Sequence, residues 1–351
     1  MKIDEKIFIK NLTGEELVEY FESLGEKKFR ATQVFEWLYN KRAASFDEML
    51  NISKELRGKL KNNFELNTLK KVETQSSDST GTKKFLFETF DKRFIESVLI
   101  PEGDRSTLCI STQVGCPLDC KFCATGVMGY KRNLKVGEIV DQYILSMQEE
   151  NNITNIVYMG MGEPLLNFVN TINSLNIFTD EKTTGLSRNR ITVSTAGVAP
   201  KIIELSENGF RVKLALSLHS GFDEIRNKIM PINKKYGLKE TLGAVEYYAN
   251  ESGTRITFEY TMLKGLNDRD EDVKALTKIC KRIPSKINVI PFNSIKHMNP
   301  EGISAELEPT PYREIEKFVE KLRNNNITVM VRQTQGDDIA AACGQLAVKS
   351  N

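Results

Sequence analysis

The sequence contains no uninterrupted apolar run of about 18 residues, the length that a membrane-spanning helix needs, so no membrane span is predicted. Residues 1–7 contain no apolar signal core either. Cysteine is too scarce for a secreted disulfide framework, because only six are found among 351 residues. Together these absences predict a protein of the cytoplasm, where thiols stay reduced.

A marked excess of one charge is also missing. The formal net charge is +2 although 27% of residues are charged, so composition alone does not indicate a nucleic-acid-binding protein. Basic residues do concentrate locally in the first fifth of the chain, at Lys27, Lys28, Arg30, Lys41 and Arg42, and at Lys54, Arg57, Lys59, Lys61, Lys70 and Lys71. Such runs are either solvated surfaces or, since phosphate contacts need concentrated Lys and Arg, an RNA-facing surface.

Three of the six cysteines are crowded together. Cys116, Cys120 and Cys123 have the spacing C-x3-C-x2-C, and no fourth cysteine follows nearby. In an ordinary electron-transfer 4Fe-4S cluster, the protein binds each of the four irons through a cysteine thiolate. Three local thiolates would therefore leave one iron free for another ligand. The alternatives are a zinc site with its fourth ligand elsewhere, or a set of buried thiols. The close spacing favours the iron–sulfur cluster.

The pattern of residues divides the chain into three parts. Residues 1–68 are predicted to form a helical domain, with a capping box at Thr13 and Glu16. Residues 69–101 are predicted to form a β-hairpin linker, with strands over 84–90 and 94–100. The remainder, residues 102–351, is predicted to be the core domain.

Strands and helices alternate in that third part. The predicted strands cover residues 107–113, 153–159, 190–195, 211–218, 254–262, 286–291 and 327–333, and the clearest helices cover 136–149, 238–250, 270–282 and 311–325. Strict β–α alternation implies a parallel sheet with right-handed crossovers. We therefore expect an α/β fold with a partial (β/α) barrel.

Unusual polar residues follow several of the predicted strands. They are Gly160, Gly162 and Glu163 after the second strand, Ser194 at the end of the third, Ser217, His219 and Ser220 after the fourth, and Asn293 after the sixth. A turn, a helix cap or a buried core histidine explains any one of them. Several strand ends in succession instead predict a ligand site at the carboxyl-terminal mouth of the barrel. The three-cysteine loop follows the first strand and opens at the same mouth.

Three further cysteines lie outside that loop. Cys280 is on an amphipathic helix and is predicted to be buried and inert. Cys109 lies within a predicted strand, seven residues before the cluster loop. Cys343 precedes a glycine in a C-terminal loop, where it is either a reactive thiol or a small core residue.

These motifs together resemble one family. Residues 115–126, 132–134, 159–164, 193–195, 217–219, 231–233 and 336–346 resemble RlmN, a family of dual-specificity RNA methyltransferases of the radical S-adenosylmethionine (SAM) class. The resemblance covers nearly the whole chain, including the helical N-terminal domain. The sister family Cfr methylates C8 of the same adenine, but Pro164 and residues 332–338 look like the branch that methylates C2.

The resemblance implies a set of cofactor-binding residues. A 4Fe-4S cluster would be held by Cys116, Cys120 and Cys123, and the fourth iron would bind the amino and carboxylate groups of SAM. Two SAM molecules would be used per turnover. SAM would be bound by Gly162, Glu163, Ser194, Ser217, Leu218, His219 and Asn293. In this view Glu163 accepts a hydrogen bond from the SAM ammonium.

The resemblance also implies three catalytic residues. Cys343 would carry a methyl group on its sulfur, and a 5′-deoxyadenosyl radical would remove a hydrogen from that group. The resulting carbon radical would add to C2 of adenine. Cys109 would then attack the Cys343 sulfur and leave a disulfide. Glu96 corresponds to the proton acceptor, and whether Glu96 or Cys109 removes the C2 proton stays open.

The implied substrates are an adenosine in the peptidyl-transferase centre of 23S rRNA and the adenosine 3′ of the anticodon in a subset of tRNAs. The implied partners are these RNAs and a low-potential electron donor such as flavodoxin or ferredoxin, and the protein is expected to be a monomer. Two other classes are compatible with parts of the sequence. One is a non-catalytic RNA-binding protein with structural zinc, and the other is a radical SAM enzyme that acts on a small molecule or a protein.

Overall fold

The computed structural model describes residues 7–150 and 152–347. Most of the segment inspected for a signal core, residues 1–6, therefore lies outside the described residues, as do the last four residues of the predicted core domain. No helix in the described ranges combines the length and the apolarity that crossing a membrane requires.

The N-terminal part is helical, as predicted. Its helices are α1 (Gly14–Ser23), α2 (Phe29–Tyr39) and α3 (Lys54–Asn63), and a short parallel pair, β1 (Ile7–Phe8) with β2 (Phe64–Glu65), brings its ends together. The capping box is confirmed: the Glu16 amide donates to Thr13 Oγ1 at 3.2 Å, and the Thr13 amide donates to Glu16 Oε2 at 2.7 Å.

A buried ion pair holds this domain against the rest of the protein. Lys10 Nζ lies 2.5 Å from Asp141 Oδ1, and both side chains are fully buried. The second oxygen of Asp141 accepts hydrogen bonds from the Thr68 amide and hydroxyl, at 2.6 Å each. Removing either charge would leave the other charge buried without a counter-charge, which is strongly destabilising. This ion pair therefore fixes the position of the helical domain on the core.

The core is a single ten-stranded sheet with the order β14-β13-β12-β11-β10-β9-β6-β5-β4-β3. Its strands are β3 (Leu69–Ser76), β4 (Lys83–Thr89), β5 (Phe94–Glu102), β6 (Arg105–Cys109), β9 (Asn155–Tyr158), β10 (Ile191–Thr195), β11 (Lys213–Ser217), β12 (Ile256–Met262), β13 (Ser285–Pro291) and β14 (Val329–Val331). From β6 through β14 all pairings within this sheet are parallel, which confirms the predicted α/β partial barrel.

The predicted hairpin is present as β4 and β5, but it belongs to a larger unit. β3 pairs antiparallel with β4, and β5 pairs antiparallel with β6, so the hairpin continues directly into the barrel sheet. β3 is an edge strand with polar residues such as Lys70, Lys71 and Glu73, so it lacks the apolar alternation that would have predicted it. The domain boundaries proposed at residues 68 and 101 stay a prediction.

The first predicted barrel strand is shorter than expected. It ends at Cys109, and the chain then forms β7 (Gln113–Gly115), which pairs with β8 (Tyr130–Asn133) in a separate two-stranded sheet. Gln142 explains the break, because its side chain accepts from the Ser111 amide at 2.7 Å and donates to the Ser111 carbonyl at 2.9 Å. These bonds replace the sheet partners of Ser111, and the two small strands carry the cysteine loop.

Helices connect the parallel strands. They are α4 (Ala124–Val127), α5 (Val136–Ser146), α6 (Phe168–Thr179), α7 (Ala199–Glu207), α8 (Asp223–Ile229), α9 (Leu238–Ser252), α10 (Asp270–Arg282), α11 (Ile303–Glu306) and α12 (Tyr312–Asn324). The helices predicted at 136–149, 238–250, 270–282 and 311–325 are confirmed as α5, α9, α10 and α12. Cys280 lies on α10, half-buried among the apolar residues under that helix.

Candidate active site

Most of the predicted site residues line one cavity of 160 Å³ at the carboxyl ends of the parallel strands. Its walls include Cys116, Cys120, Cys123, Gly162, Glu163, Ser194, Ser217, His219, Asn293 and Cys343. Leu218 is buried behind this wall rather than in it, and neither Cys109 nor Glu96 lines the cavity. We refer to this space as the upper cavity.

The three clustered cysteines lie on a tight loop that only glycine allows. A Cβ on Gly115 would come within 1.8 Å of the Gly129 carbonyl oxygen, and one on Gly126 within 2.9 Å of the Cys120 carbonyl oxygen. The Cys123 amide donates to the Cys120 carbonyl at 3.1 Å, and the Gly126 amide donates to the Cys123 carbonyl at 3.0 Å. This packing presents three half-buried thiols to one side of the upper cavity.

Glu163 is buried beside these thiols. Its Oε1 accepts from the Leu165 amide at 3.1 Å, and its Oε2 accepts from the Ala196 amide at 2.7 Å. Burial nevertheless raises the pKa of Glu163 to about 7. The preceding Gly162 has a φ of +99°, and a Cβ there would come within 2.5 Å of the Gln113 side chain, so glycine is needed to place Glu163 at this point.

His219 has a defined hydrogen-bonding state. Its Nδ1 accepts from the Thr261 amide at 2.9 Å, which leaves Nε2–H as the donor that it can offer to a ligand. Burial and the charge of Arg226 lower the pKa of His219 to about 3, so the ring is neutral at physiological pH. The φ of +52° is unusual for a residue with a side chain and indicates that the surrounding contacts hold this conformation.

Arg226 organises the strand ends and was missed from the sequence. Its guanidinium is fully buried and donates to the carbonyls of Ala196 at 2.6 Å and Leu218 at 3.1 Å, and to Asn233 Oδ1 at 2.6 Å. These bonds hold the ends of β10 and β11 together. Asn233 stands in one of the motifs that carried the resemblance, but nothing in the spacing showed that a buried arginine needed it.

The loop that carries Cys343 docks directly on the cysteine loop. The Ala124 amide donates to the Gly344 carbonyl at 2.7 Å, and Thr125 Oγ1 donates to the Leu346 carbonyl at 2.6 Å. Asn293 Nδ2 donates to the Cys343 carbonyl at 3.1 Å. Asn293 therefore positions the Cys343 loop as well as lining the cavity. The Cys343 side chain is exposed at the cavity wall.

Cys109 lies behind the cavity wall, near Cys343. Burial and the neighbouring Cys343 thiol raise the pKa of Cys109 to about 12, while the Arg332 guanidinium opposes that shift. Arg332 lines the upper cavity and is close enough to both thiols to act electrostatically on each of them. Two cysteines separated by more than two hundred residues in the sequence thus lie within electrostatic range of each other and of the Arg332 guanidinium.

Glu96 lies on β5 beneath the end of the Cys343 loop. Its Oε2 accepts from the Ala347 amide at 3.0 Å, and Lys84 Nζ lies 3.2 Å from its Oε1. Burial raises the pKa of the Glu96 carboxyl, and Lys84 opposes that shift. The structure thus gives Glu96 a contact with the C-terminal segment, while its role as a proton acceptor stays a prediction.

Comparisons with known proteins identify the family of this chain. Residues 7–66 match the model of the "Ribosomal RNA large subunit methyltransferase N-terminal domain", and residues 110–277 match the "Radical SAM superfamily". A protein from a Thermotoga species named as a dual-specificity RNA methyltransferase RlmN is 46% identical over 342 residues, covering 97% of each chain. The chain belongs to the RlmN family.

Two further relatives support this membership. A dual-specificity RNA methyltransferase RlmN from a Marinomonas species is 43% identical over 354 residues, covering 97% of this chain and 93% of the relative. The crystal structure of a radical SAM methyltransferase from Sphaerobacter thermophilus superposes with a TM-score of 0.90 at 38% identity, covering 97% of this chain and 99% of that one.

The residues present fit the cofactors that the radical SAM superfamily implies, a 4Fe-4S cluster and SAM. Three thiols on one loop face a single cavity. These thiols are the donor set that three irons of a 4Fe-4S cluster require. The remaining wall next to them is formed by Glu163, Ser194 and His219, whose polar groups suit the polar end of SAM. The assignment of each of these RlmN-family residues to cluster or SAM stays a prediction.

The basic residues that the sequence singled out between Lys27 and Lys71 differ in their contacts. Arg57 and Lys61 bind Asp47, Lys59 pairs with Glu55, and Lys71 pairs with Glu149. Lys27 and Lys28, just before α2, are exposed, and Lys28 Nζ lies 3.5 Å from Glu22 Oε1. Lys27 and Lys28 are therefore better candidates for contact with a phosphate backbone than these paired residues.

Proposed function

We propose that this RlmN-family protein methylates C2 of one adenosine in the peptidyl-transferase centre of 23S rRNA and of the adenosine 3′ of the anticodon in a subset of tRNAs. The observation that carries the proposal is the docking of the Cys343 loop on the cysteine loop, through the Ala124–Gly344 hydrogen bond of 2.7 Å. It places a reactive thiol in the same cavity as the three proposed cluster ligands.

The reaction needs a methyl carrier because C2 of adenine is electron-poor and its hydrogen is not acidic. A cluster on Cys116, Cys120 and Cys123 supplies, when reduced and bound to SAM, the 5′-deoxyadenosyl radical. Cys343 accepts a methyl group on its sulfur from a first SAM, and its S-methyl group then loses a hydrogen to that radical. The carbon radical on Cys343 forms the new bond to C2.

Cys109 releases the product. The radical adduct first gives one electron to an oxidised acceptor and its C2 proton to a base. The Cys109 thiolate then attacks the sulfur of Cys343, the electron pair of the broken C–S bond stays with the carbon, and a Cys109–Cys343 disulfide forms. That carbon takes up a proton and becomes the new methyl group. A dithiol reductant must then restore the two thiols. The closeness of the two cysteines, which is sufficient for one thiol to raise the pKa of the other, supports this exchange.

Glu96 and Cys109 have different roles in this proposal, with Glu96 as the proton acceptor and Cys109 as the nucleophile. A thiol whose pKa is raised to about 12 keeps its proton at neutral pH, so Cys109 needs a base rather than serving as one. Glu96, whose pKa burial raises, is the better proton acceptor of the two. Its contact with the Ala347 amide places it at the base of the loop that carries Cys343.

The RNA partners follow from the same proposal. The exposed Lys27 and Lys28 of the helical domain contact RNA phosphates, and the target base leaves its stack to reach the barrel. A low-potential flavodoxin or ferredoxin supplies the electron, and the protein acts as a monomer. The lack of a large net charge is consistent with RNA binding through a local patch.

Nucleoside mass spectrometry tests the proposal. Reconstituted protein, SAM and a reductant are incubated with 23S rRNA fragments and with tRNA, and the digested RNA is compared with 2-methyladenosine and 8-methyladenosine standards. The expected product is 2-methyladenosine, with S-methylcysteine at position 343 in the tryptic map of the protein. A C8 product, or unmodified RNA with active SAM cleavage, would contradict it. Colourless protein with stoichiometric zinc would favour a structural zinc site instead.

A further inference from the structure

The interior of the barrel is polar below the upper cavity. A second cavity of 520 Å³ continues down the lumen, and the inward-facing residues of β9 to β13 that line it include Asn155, Thr192, Lys213, Thr257, Lys286 and Asn288. Ordinary (β/α) barrels fill this volume with branched apolar side chains. We refer to this space as the lower cavity. Cys343, Arg332 and Glu259 line both cavities, so the two meet where the chemistry is proposed to occur.

Two acceptor atoms in the lower cavity have no hydrogen-bond partner among the described residues. Glu259 and Asn288 are neighbours in the register of β12 and β13, and Asn288 Nδ2 donates to Glu259 Oε1 at 3.0 Å. Glu259 Oε2 and Asn288 Oδ1 are buried and find no hydrogen-bond partner within the described part of the chain. Glu259 is only 4% exposed. Buried acceptors are costly to leave unsatisfied, so a pair of them lining a cavity indicates a donor on a ligand.

Cations gather at the other end of the lower cavity. Arg105, Lys213 and Lys286 line it, and Glu102, which pairs with Arg105, is the carboxylate on the same rim. Burial and the charges of Lys286, Arg105 and Arg190 together lower the pKa of Lys213, as expected for cations held close together. Lys286 is two residues before Asn288, a rise of about 6.6 Å along a strand. Acceptors at the inner end and cations at the outer end match the base and phosphate of a nucleotide.

We propose that the lower cavity receives the target nucleotide and that Glu259 Oε2 and Asn288 Oδ1 read the exocyclic amine of adenine. This inference rests on the proposed function, because it takes an adenosine as the substrate. The amine is a donor, which two unpaired acceptors satisfy. Inosine and guanosine carry a keto oxygen at the same position, which would face these acceptors and be repelled.

The position of Cys343 supports this assignment. The amine of adenine is attached next to N1, and C2 lies on the other side of N1, so both belong to one edge of the base. A residue that binds the amine must therefore lie near the group that delivers carbon to C2. Glu259 and Cys343 satisfy this condition because they line the same junction between the two cavities.

The substitution Glu259→Gln tests the inference without changing the shape of the side chain. The amide oxygen of glutamine keeps accepting from Asn288 Nδ2, so its NH2 group replaces Oε2 and presents a donor to the donor amine of adenine. Asn288→Ala removes the second acceptor, together with the hydrogen bond from Asn288 Nδ2 to Glu259 Oε1. The matched control is Glu102→Gln, the same chemical change at the outer rim of the same cavity.

Binding is measured by fluorescence anisotropy on anaerobic, cluster-reconstituted protein without SAM or reductant. The probes are three labelled RNA stem-loops that carry adenosine, purine riboside or inosine at the target position and are otherwise identical. The wild type is expected to bind the adenosine loop on the order of tenfold more tightly than the purine riboside loop, which lacks the amine. Glu259→Gln should reduce that ratio to about twofold or less and improve binding of the inosine loop. Glu102→Gln should leave the ratio unchanged.

Failure of this inference is distinct from failure of the proposed function. If wild-type protein forms 2-methyladenosine but binds all three loops equally, or if Glu259→Gln and Asn288→Ala both keep the wild-type ratio, the assignment of these residues is wrong while the proposed function stands. If wild-type protein neither methylates nor prefers the adenosine loop, both proposals fall. Circular dichroism and iron content establish that the variants are folded and loaded.

Discussion

The backbone amide of Ala347 donates a hydrogen bond of 3.0 Å to Oε2 of Glu96. This bond joins β5 of the barrel to the end of the loop that carries Cys343. Lys84 lies 3.2 Å from the other oxygen of Glu96, and both side chains of this pair are largely buried. Glu96 therefore also has a structural role, and a test of its proposed role in proton transfer must account for the Ala347 hydrogen bond and the Lys84 ion pair.

Replacing Glu96 by Gln should have two separable effects. The amide can still accept from Ala347, but Lys84 loses its counter-charge in a buried position, which costs on the order of 3 kcal/mol of unfolding free energy. The double variant Glu96→Gln/Lys84→Met should recover most of that loss in urea unfolding. If Glu96 accepts the C2 proton, the double variant should nevertheless form 2-methyladenosine far more slowly than Lys84→Met alone. Equal rates for these two proteins would make Glu96 only an anchor for the C-terminal segment.

Cys120→Ala tests the assignment of the three-cysteine loop. Two thiolates are too few to hold a 4Fe-4S cluster that needs three cysteine ligands. After anaerobic reconstitution the variant should therefore lack iron and the brown chromophore, and it should not cleave SAM. The fold should persist, because Cys120 is a half-buried loop residue outside the main core. Cys280→Ala, on α10, is the matched control and should bind iron normally. Normal RNA methylation by Cys120→Ala would rule out the radical mechanism.

The sequence was sufficient to predict the parallel sheet of the core because strands and helices largely alternate from β9 to β14. The strands that were missed or misjudged have particular causes: β3 is a polar edge strand, and Gln142 ends β6 early by binding the backbone of Ser111. Both causes are tertiary contacts or edge effects that local patterns do not record.

The site was predictable where chemistry dictates residue type and spacing, as at Cys116, Cys120 and Cys123. It was not predictable where one side chain serves several strands. Arg226 binds carbonyls from two strand ends, and Glu259 lines the barrel lumen from a strand that reads as ordinary buried sequence. Asn293 was expected to contact SAM, and its bond to the Cys343 carbonyl became evident only once the C-terminal loop was placed.

Removal of charge at Lys27 and Lys28 tests the RNA-binding surface. The double substitution to Gln should weaken RNA binding and reduce the slope of log K against log salt by about 0.7–0.9 for each phosphate that the protein no longer binds. Stability should change little, because Lys28 and its partner Glu22 are both exposed. Arg30 is left intact since it donates to Gln33 and to the Asn51 carbonyl. The control is Lys317→Gln/Lys321→Gln on α12, and an unchanged slope in the test variant would mean that Lys27 and Lys28 are simply solvated.

The depressed pKa of His219 predicts how stability depends on pH. The folded-state pKa of about 3 lies below the ordinary value, so between pH 6.5 and 3 the unfolded chain takes up a proton that the folded protein does not. Stability is therefore lost as the pH falls, by roughly 2 kcal/mol at pH 5 from this residue. Asn should replace His219 well, because it tolerates a φ of +52° and its oxygen can accept from the Thr261 amide.

Urea unfolding of wild type and His219→Asn at pH 7 and pH 5 provides the measurement. The wild type should lose more unfolding free energy between these two values than the variant does, and the difference isolates His219 from other acid-sensitive groups. The same loss in both proteins would mean that His219 titrates normally.

The role of Cys109 can be tested by trapping. After carbon–carbon bond formation the RNA is attached to Cys343 through a thioether, which hydrolysis and thiol reductants do not break. Outside the three-cysteine loop, Cys109 is the thiol on which the Cys343 sulfur acts electrostatically, whereas Cys280 is on α10. Cys109→Ala should therefore complete one round of bond formation and accumulate a covalent protein–RNA species.

Denaturing electrophoresis with labelled RNA distinguishes the possible outcomes for Cys109. The Cys109→Ala lane should contain a slow-migrating band that persists in dithiothreitol and disappears on protease treatment, because a thioether rather than a disulfide holds the RNA. Cys280→Ala should release methylated RNA over several turnovers, as the wild type does. In Cys343→Ala the band should be absent, since no methyl carrier remains. Several turnovers by Cys109→Ala without such a band would show that another group resolves the adduct.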